Sequence, residues 1–278
     1  MVKKNRFDLS GKTAVVIGGR GYLGRYLCAG LAQAGAYVYC ADLAQGSPAS
    51  KGAKALKANR NIVQVKVDAA SPSSVKKLMD RVVSERKRID ALVFGVSVKT
   101  KDFFKAYTEC GLAGWQDVIK AELDGAFLCT QQAGKHMEKT GRGSIILLSS
   151  IYGVVGNDQR IYEGSNLADV YGGDKVEKPK RIYAHASYAA AKGAHISLAR
   201  YLAAYWGQKN IRVNCISPGG VAHKDENAVF VKKYCDRVPL GRKASPEDVT
   251  SAVIYLASDA ASYVTGHNLI VDGGWTAW

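Results

Sequence analysis

Lys12-Thr13-Ala14-Val15-Val16-Ile17-Gly18-Gly19-Arg20-Gly21-Tyr22-Leu23-Gly24 is the stretch whose reading decides the fold. Its first half is a short, β-branched apolar run, the pattern of a strand buried on both faces. Glycines crowd the middle, and Leu23, Leu27 and Leu31 then recur at helical spacing. A strand, a glycine-rich turn and a helix in that order aim backbone N–H groups and a helix N-terminus at one point, which suits a pyrophosphate. The glycines permit the tight turn and close backbone approach. The next strand, Ala36 to Ala41, ends in Asp42, about 20 residues past the turn. A carboxylate there accepts from the adenosine ribose hydroxyls. Its charge repels a 2′-phosphate and favours NAD over NADP, while Arg20 inside the turn pulls weakly the other way.

Downstream the same alternation repeats. Leu56 to Asn61 closes a basic helix, and Ile62 to Val67 reads as a strand ending at Asp68-Ala69. Val75 to Val83 is a helix and Ile89 to Val96 a fourth strand. Trp115 to Met137 carries apolar residues at helical spacing, and Gly143 to Leu148 delivers Ser149-Ser150 at a strand end. Ile211 to Ile216 runs into Ser217-Pro218-Gly219-Gly220. Pro246 to Leu256 is a helix with Ser245 as its cap, and Asn268 to Gly274 contains the last strand. Strands alternating with helices predict an α/β fold, a doubly wound parallel sheet with its ligand at the strand C-termini.

The chemistry-bearing stretch is Ser187-Tyr188-Ala189-Ala190-Ala191-Lys192-Gly193-Ala194. On a helix, residues four apart share a face. An ammonium so placed lowers a phenol's pKa from about 10, so that the tyrosine exchanges a proton while hydride moves at a neighbouring carbon. The spacing alone decides little: Tyr171-Gly172-Gly173-Asp174-Lys175 repeats it, but its glycines and aspartate argue for a loop.

Composition narrows the classes. The chain has 278 residues and is 47% hydrophobic, enough for one large domain with a sizeable core. No apolar run reaches the ~18 residues of a membrane span. The basic start, Met1 to Arg6, has no apolar segment behind it and is not a secretory signal. Cys28, Cys40, Cys110, Cys129, Cys215 and Cys235 are scattered, without metal-ligand spacing, and predict small buried residues in a reducing cytoplasm. The formal net charge of +15 would attract nucleic acid, an anionic membrane surface or an anionic substrate. Its lysines and arginines are spread over Lys51/Lys54/Lys57/Arg60, Lys76/Lys77, Arg86/Lys87/Arg88 and Lys178/Lys180/Arg181, the pattern of solvated helix faces, and no nucleic-acid-binding motif accompanies them.

Taken in order, Gly18 to Gly24, Asp68, Ser150, Tyr188 with Lys192, Asn214 with Pro218-Gly219, and Val271-Asp272-Gly273-Gly274 resemble the single-domain branch of the short-chain dehydrogenase/reductase family. The likeness covers about residues 8–278. A narrower one, on Ser149 to Gly156, Arg160 to Gly164, Pro218 to Val221 and Pro239 to Arg242, is to members found with bacterial surface-sugar and flagellin-glycan pathways. The family resemblance implies one Rossmann-type three-layer domain, 1–278, and an NAD(P)-dependent interconversion of a secondary alcohol and a ketone. It implies Tyr188 as acid/base, Lys192 as its modulator and ribose ligand, and Ser150 on the substrate oxygen. It assigns the cofactor to Gly18, Arg20, Gly21, Tyr22, Leu23, Gly24, Asp42, Asp68, Ala69, Gly95, Tyr188, Lys192, Pro218, Gly219 and Val221, with NAD preferred and NADP possible. Relatives are commonly homodimers or homotetramers built on the long helices, to which Trp275-Thr276-Ala277-Trp278 would add apolar surface.

The departures from the family are specific. Phe94-Gly95-Val96-Ser97 replaces the usual Asn-Asn-Ala-Gly, and Tyr22 stands at the middle glycine. His223 stands where many relatives have a threonine. Glu122 occupies the place of the asparagine that holds a relay water behind the lysine; as the fourth catalytic residue it would pair with Lys192 and raise the pKa of lysine and tyrosine. Residues 151–187 separate Ser150 from Tyr188, far more than in many relatives. The extra segment, about 157–184, lies by sequence at the substrate mouth and is expected to be a lid; its Arg160, Tyr162 and Tyr171 suit a sugar or sugar phosphate. Besides that leading reading, a ketoacyl-type reductase and a nucleotide-binding relative with weak or no catalysis stay open. A nucleic-acid-associated protein is favoured by net charge alone.

Overall fold

The computed structural model describes residues 5–43, 56, 59–172 and 176–278. Most of the basic segment before Asn59, the first four residues, and Gly173 to Lys175 of the second Tyr-x-x-x-Lys sequence lie outside the described residues.

Seven parallel strands form one sheet: β1 (Thr13–Ile17), β2 (Tyr37–Asp42), β3 (Ile62–Lys66), β4 (Ala91–Phe94), β5 (Gly143–Leu148), β6 (Ile211–Pro218) and β7 (Asn268–Val271), in spatial order β3-β2-β1-β4-β5-β6-β7. The order reverses between β1 and β4, so the strand C-termini open a crevice there. In register, Val16 faces Cys40 on one side and Val93 on the other.

Helices cover both faces: α1 (Tyr22–Gln33), α2 (Pro72–Arg86), α3 (Leu112–Ile119), α4 (Gly125–Thr140), α5 (Leu167–Gly172), α6 (Ala186–Trp206), α7 (Ala228–Cys235) and α8 (Pro246–Ala257). Alternate residues of β1 serve different layers. Val15 and Ile17 join Leu78, Cys129 and Ala199 of α2, α4 and α6. Ala14 and Val16 join Leu27, Leu31, Val249 and Val253 of α1 and α8. Both faces of the strand are buried, which is why its sequence is continuously apolar instead of alternating. Ser245 and Asp248 close a capping box at the start of α8, as the serine's position predicts.

The long helix expected over Trp115 to Met137 is interrupted. Between α3 and α4 the chain takes one π turn, Lys120–Asp124, and Glu122 sits in it, fully buried. Such bulges re-aim a side chain out of helical register.

The extra segment after Ser150 has its own small core. Ile161, Tyr162, Leu167, Ala168, Val176 and Ile182 are buried with Phe103 and Phe104 from the loop after β4 and with Phe230 and Tyr234 of α7. Backbone bonds from Glu177 N to Lys101 O, at 2.7 Å, and from Tyr183 N to Phe104 O, at 3.1 Å, tie it to that loop. Trp275 is also turned inward, stacked on Tyr234 at 4.6 Å, so the C-terminal apolar run is split: Trp275 packs inside and Trp278 is exposed.

Candidate active site

A cleft of about 790 Å³ runs along the C-terminal edge of the sheet. Gly18, Arg20, Gly21, Tyr22, Leu23, Gly24, Asp42, Asp68, Ala69, Gly95, Ser150, Tyr188, Lys192, Pro218, Gly219 and Val221 all line it. Residues as far apart as Gly18 and Val221 thus meet because they follow strand ends, while Tyr188 and Lys192 reach the same cleft from α6. Of the expected catalytic and cofactor residues, Glu122 alone lies behind the wall, against Lys192.

The turn after β1 fits a dinucleotide. Gly18 has a positive φ of 79°, and a Cβ there would stand 2.8 Å from Gly95 O. A Cβ on Gly24 would collide with the Gly18 carbonyl. No side chain caps the N-terminus of α1 and its first turn holds no acid, which leaves donors and a positive dipole end for an anion. Gly18 to Gly24 would hold the pyrophosphate. Asp42, whose Oδ2 accepts from Arg20 N at 3.0 Å, would meet the adenosine ribose. Tyr22, at the family's glycine position, does not fill the turn. Its hydroxyl donates to Ala222 O at 2.5 Å and its ring lies 4.8 Å from His223, linking the turn to the loop after β6.

Ser150 lies two residues past the end of β5, and its Oγ accepts from Tyr152 N at 3.2 Å. Tyr188 and Lys192 are one turn apart on α6, with Nζ 5.3 Å from the tyrosine ring centre. Lys192 Nζ is 2.9 Å from Glu122 Oε2 and also donates to Leu148 O at 3.2 Å and Val96 O at 3.3 Å. The expectation that lysine brings the tyrosine below its ordinary pKa is corrected here. Burial raises the Tyr188 pKa most; Lys192 lowers it, Glu122 raises it, and the Ser150 hydroxyl lowers it, with a net upward shift. Glu122 offsets part of the ammonium's effect, and removing a phenolate from water costs more than the remainder supplies. Lys192 itself is shifted up: burial works against its charge, and Glu122 and Tyr188 outweigh it.

Arg160 is exposed, grips Asp158 through two bonds of 2.9 Å, and does not line the cleft, so it is no substrate ligand here. Tyr162 and Tyr171 do line it. Conversely, sequence reading missed Lys99, which lines the cleft beside Tyr188. Also missed was Glu226, which pairs with Lys243 at 2.5 Å and accepts from Tyr171 at 3.0 Å. A lone lysine or glutamate in a loop carries no spacing signal. Asp102, Cys110 and His185 gather their ligand-type atoms within 4.8 Å of one another. The Asp102 carboxylate already accepts from Thr100 and Gly111, and His185 stacks on Phe103, so the group reads as a packing joint.

Residues 12–167 match the family model described as short chain dehydrogenase, and residues 176–276 match one described as Enoyl-(Acyl carrier protein) reductase. The chain belongs to the short-chain dehydrogenase/reductase family. It is 34% identical to the cis-4-hydroxycyclohexanecarboxylate dehydrogenase of Sinomonas cyclohexanicum, over 96% of this chain and 97% of that one. A gluconate 5-dehydrogenase from Burkholderia cenocepacia J2315, solved in complex with NADP and tartrate, superposes with a TM-score of 0.81 at 26% identity, covering 98% of each chain. A short chain dehydrogenase from Leptospira borgpetersenii with bound NAD+ gives 0.81 at 29%, covering 99% of this chain and 97% of that one. This short-chain dehydrogenase is therefore an NAD(P)-dependent oxidoreductase. Its two family-model matches are separated by residues 168–175, within the extra segment. No helix among the described residues is long and apolar enough to cross a membrane.

Proposed function

We propose that this enzyme interconverts a secondary alcohol and a ketone on a small sugar- or polyol-like substrate, with NAD(H) as the preferred cofactor. The convergence of Ser150, Tyr188 and Lys192 on one wall of the cleft, with the glycine turn and Asp42 at its other end, carries the reading. The named relatives act on a carboxylate-bearing ring alcohol and on gluconate, both secondary alcohols of this size.

In this reading the cofactor supplies the hydride and the protein supplies position and proton. Ser150 Oγ hydrogen-bonds the substrate oxygen and steadies its developing negative charge. The Tyr188 hydroxyl gives that oxygen a proton during reduction and takes it back during oxidation. Its upward shift keeps it a phenol at neutral pH, which favours reduction. Lys192 supplies a positive charge near Tyr188 and would hold the nicotinamide ribose. Val221, just past Pro218 and Gly219, would offer backbone groups to the carboxamide. Segment 157–184 acts as the substrate lid, supported by Tyr162 and Tyr171 at the cleft wall.

The buried Glu122–Lys192 pair favours one other reading, a nucleotide-binding relative with weak turnover. Fluorescence titration with NADH and NADPH, followed by a 340 nm screen over polyols, sugar acids, sugar phosphates and ketoacyl esters, separates the two. Tighter NADH binding, with turnover that disappears in Tyr188→Phe, is the expected result. Tight NADH binding without turnover of any class would overturn it. We further propose a cytoplasmic homodimer or homotetramer. All six thiols are unpaired. Trp115, Phe127, Tyr201 and Tyr205 leave apolar surface exposed on α3, α4 and α6. A monomer by light scattering would remove the oligomer from this reading.

A further inference from the structure

Among the described residues three lysines line the cleft, Lys99, Lys192 and Lys243. Two are neutralised inside the protein: Lys192 by Glu122 at 2.9 Å and Lys243 by Glu226 at 2.5 Å, all four side chains being buried. Lys99 differs. Among the described residues no carboxylate comes within ion-pair reach of its Nζ, which donates to Ser97 Oγ at 2.8 Å. The ammonium lies 4.9 Å from the centre of the Phe103 ring and 5.7 Å from that of Tyr188.

We propose that Lys99 is the anchor for an anionic group on the substrate, a carboxylate or phosphate a few bonds from the carbon that faces Tyr188. The proposal rests on the reading of Tyr188 as the proton donor and narrows the substrate from polyols at large to sugar acids or sugar phosphates.

The physical case is one of an uncompensated charge. A cation drawn out of water is costly unless paired. Burial lowers the Lys99 pKa to about 8, with Glu122 raising it and Lys192 lowering it, so the group is mainly charged at neutral pH and partly desolvated. The two rings return some of that cost as cation–π attraction, without neutralising the charge. They also flank the ammonium with apolar surface, where a bound anion would be weakly screened. Ser97, itself on the cleft wall, adds a hydroxyl within reach of the same anion. The position is specific to the reacting end: Lys99 shares Tyr188 with Lys192, whereas the pyrophosphate end is held by the turn after β1.

The test uses matched pairs on the enzyme–NADH complex, followed by NADH fluorescence: tartrate against threitol, gluconate against sorbitol, and glucose 6-phosphate against glucose. The wild type is expected to bind at least one anion about 10-fold tighter than its neutral partner, the effect of one well-placed charge-assisted contact. In Lys99→Met that ratio falls to about one, and Lys99→Arg restores part of it. The carboxylate and phosphate arms say which anion the site takes. Retained NADH binding reports that the variants are folded; Lys99→Gln serves if Lys99→Met is not. A wild type without anion preference overturns the proposal, as does a preference that survives in Lys99→Met. If Lys99 acts only through the Tyr188 proton, the variant slows anionic and neutral substrates alike and leaves the ratio intact, which also overturns it. Should Lys99-dependent anion binding appear without turnover, the reaction reading fails and the anchor stands.

Discussion

Glu122 Oε2 lies 2.9 Å from Lys192 Nζ, and both side chains are buried. The carboxylate's other oxygen accepts from Val98 N at 3.0 Å, and the ammonium is fixed by the carbonyls of Leu148 and Val96. The π turn at Lys120–Asp124 brings the glutamate there. A charge thus stands where the family resemblance leads one to expect a neutral asparagine, and it acts directly on the lysine that lowers the Tyr188 pKa.

Replacing that charge has a signed consequence. Glu122 raises the Tyr188 pKa, so Glu122→Gln lowers it and more tyrosinate is present at a given pH. The acidic limb of the pH profile for alcohol oxidation is expected to move to lower pH, with reduction at alkaline pH weakened. A pH–kcat profile in both directions checks it, and an unmoved or upward-shifted limb refutes the coupling. Glu122→Ala leaves Lys192 charged and unpaired in the interior and should cost about 3–5 kcal/mol of stability by chemical denaturation.

In the proposed reading Asp42 would set the cofactor choice. Its carboxylate stands at the end of β2, lines the cleft, and is oriented by the Arg20 amide at 3.0 Å. A 2′-phosphate at that position would face a like charge. Asp42→Ser removes the repulsion and leaves Arg20 as the local cation. The ratio of Kd for NADPH to Kd for NADH should fall by about tenfold or more, equivalent to ~1.4 kcal/mol. A ratio unchanged by the substitution would mean that the preference is set elsewhere.

The sheet and the cofactor turn were legible because their signals are local. A both-sides-buried strand, a glycine turn that admits no Cβ at Gly24, and Leu23, Leu27 and Leu31 at helical spacing need no distant partner to be read. Tyr188 and Lys192 were legible for the same reason, one turn apart. The opposing pulls of Lys192 and Glu122 on the tyrosine were legible too, but not the net sign of its shift, because the largest contribution is burial, which the fold sets. Arg160 looked like a substrate ligand until the fold placed Asp158 against it. Lys99 was passed over because what marks it, the Phe103 and Tyr188 rings and the lack of a counter-charge among the described residues, is set by tertiary packing.

His195 makes stability depend on pH. It is fully buried between Glu122 O, at 2.9 Å from Nε2, and Leu148 O, at 3.2 Å from Nδ1. Burial, with Lys192 adding to it, depresses its pKa to about 4, against the two backbone contacts and Glu122. The unfolded chain, with histidine near 6.5, binds the extra proton first. Stability is therefore full above pH 6.5 and declines as pH falls through 6.5 towards 4, by at most about 3 kcal/mol from this residue. Asp158 and Asp248, held to about 2 chiefly by Arg160 and Arg242, add losses of the same sign below about pH 4. Urea midpoints at pH 7.5, 6 and 5 should fall in that order in the wild type and much less in His195→Gln. A flat series in the wild type would show that the histidine is already charged when folded.

The extra segment is clasped to the loop before α7 by two asparagines. Asn166 Nδ2 donates to Asp225 O at 2.8 Å, Asn227 N donates to Asn166 Oδ1 at 2.9 Å, and Asn227 Nδ2 donates to Gly164 O at 2.8 Å. Tyr171, in the same segment, donates to Glu226 Oε1 at 3.0 Å. If this clasp holds a lid over the reacting end, loosening it must weaken substrate more than cofactor, because the turn that would bind pyrophosphate lies across the cleft. Asn166→Ala removes two of the bonds, about 2 kcal/mol in all. The expected result is a KM for substrate raised by up to roughly 30-fold, an NADH Kd within about twofold of wild type, and faster proteolysis within 157–184 that saturating substrate suppresses. An unchanged KM with accelerated proteolysis would show a segment that is clasped for stability alone.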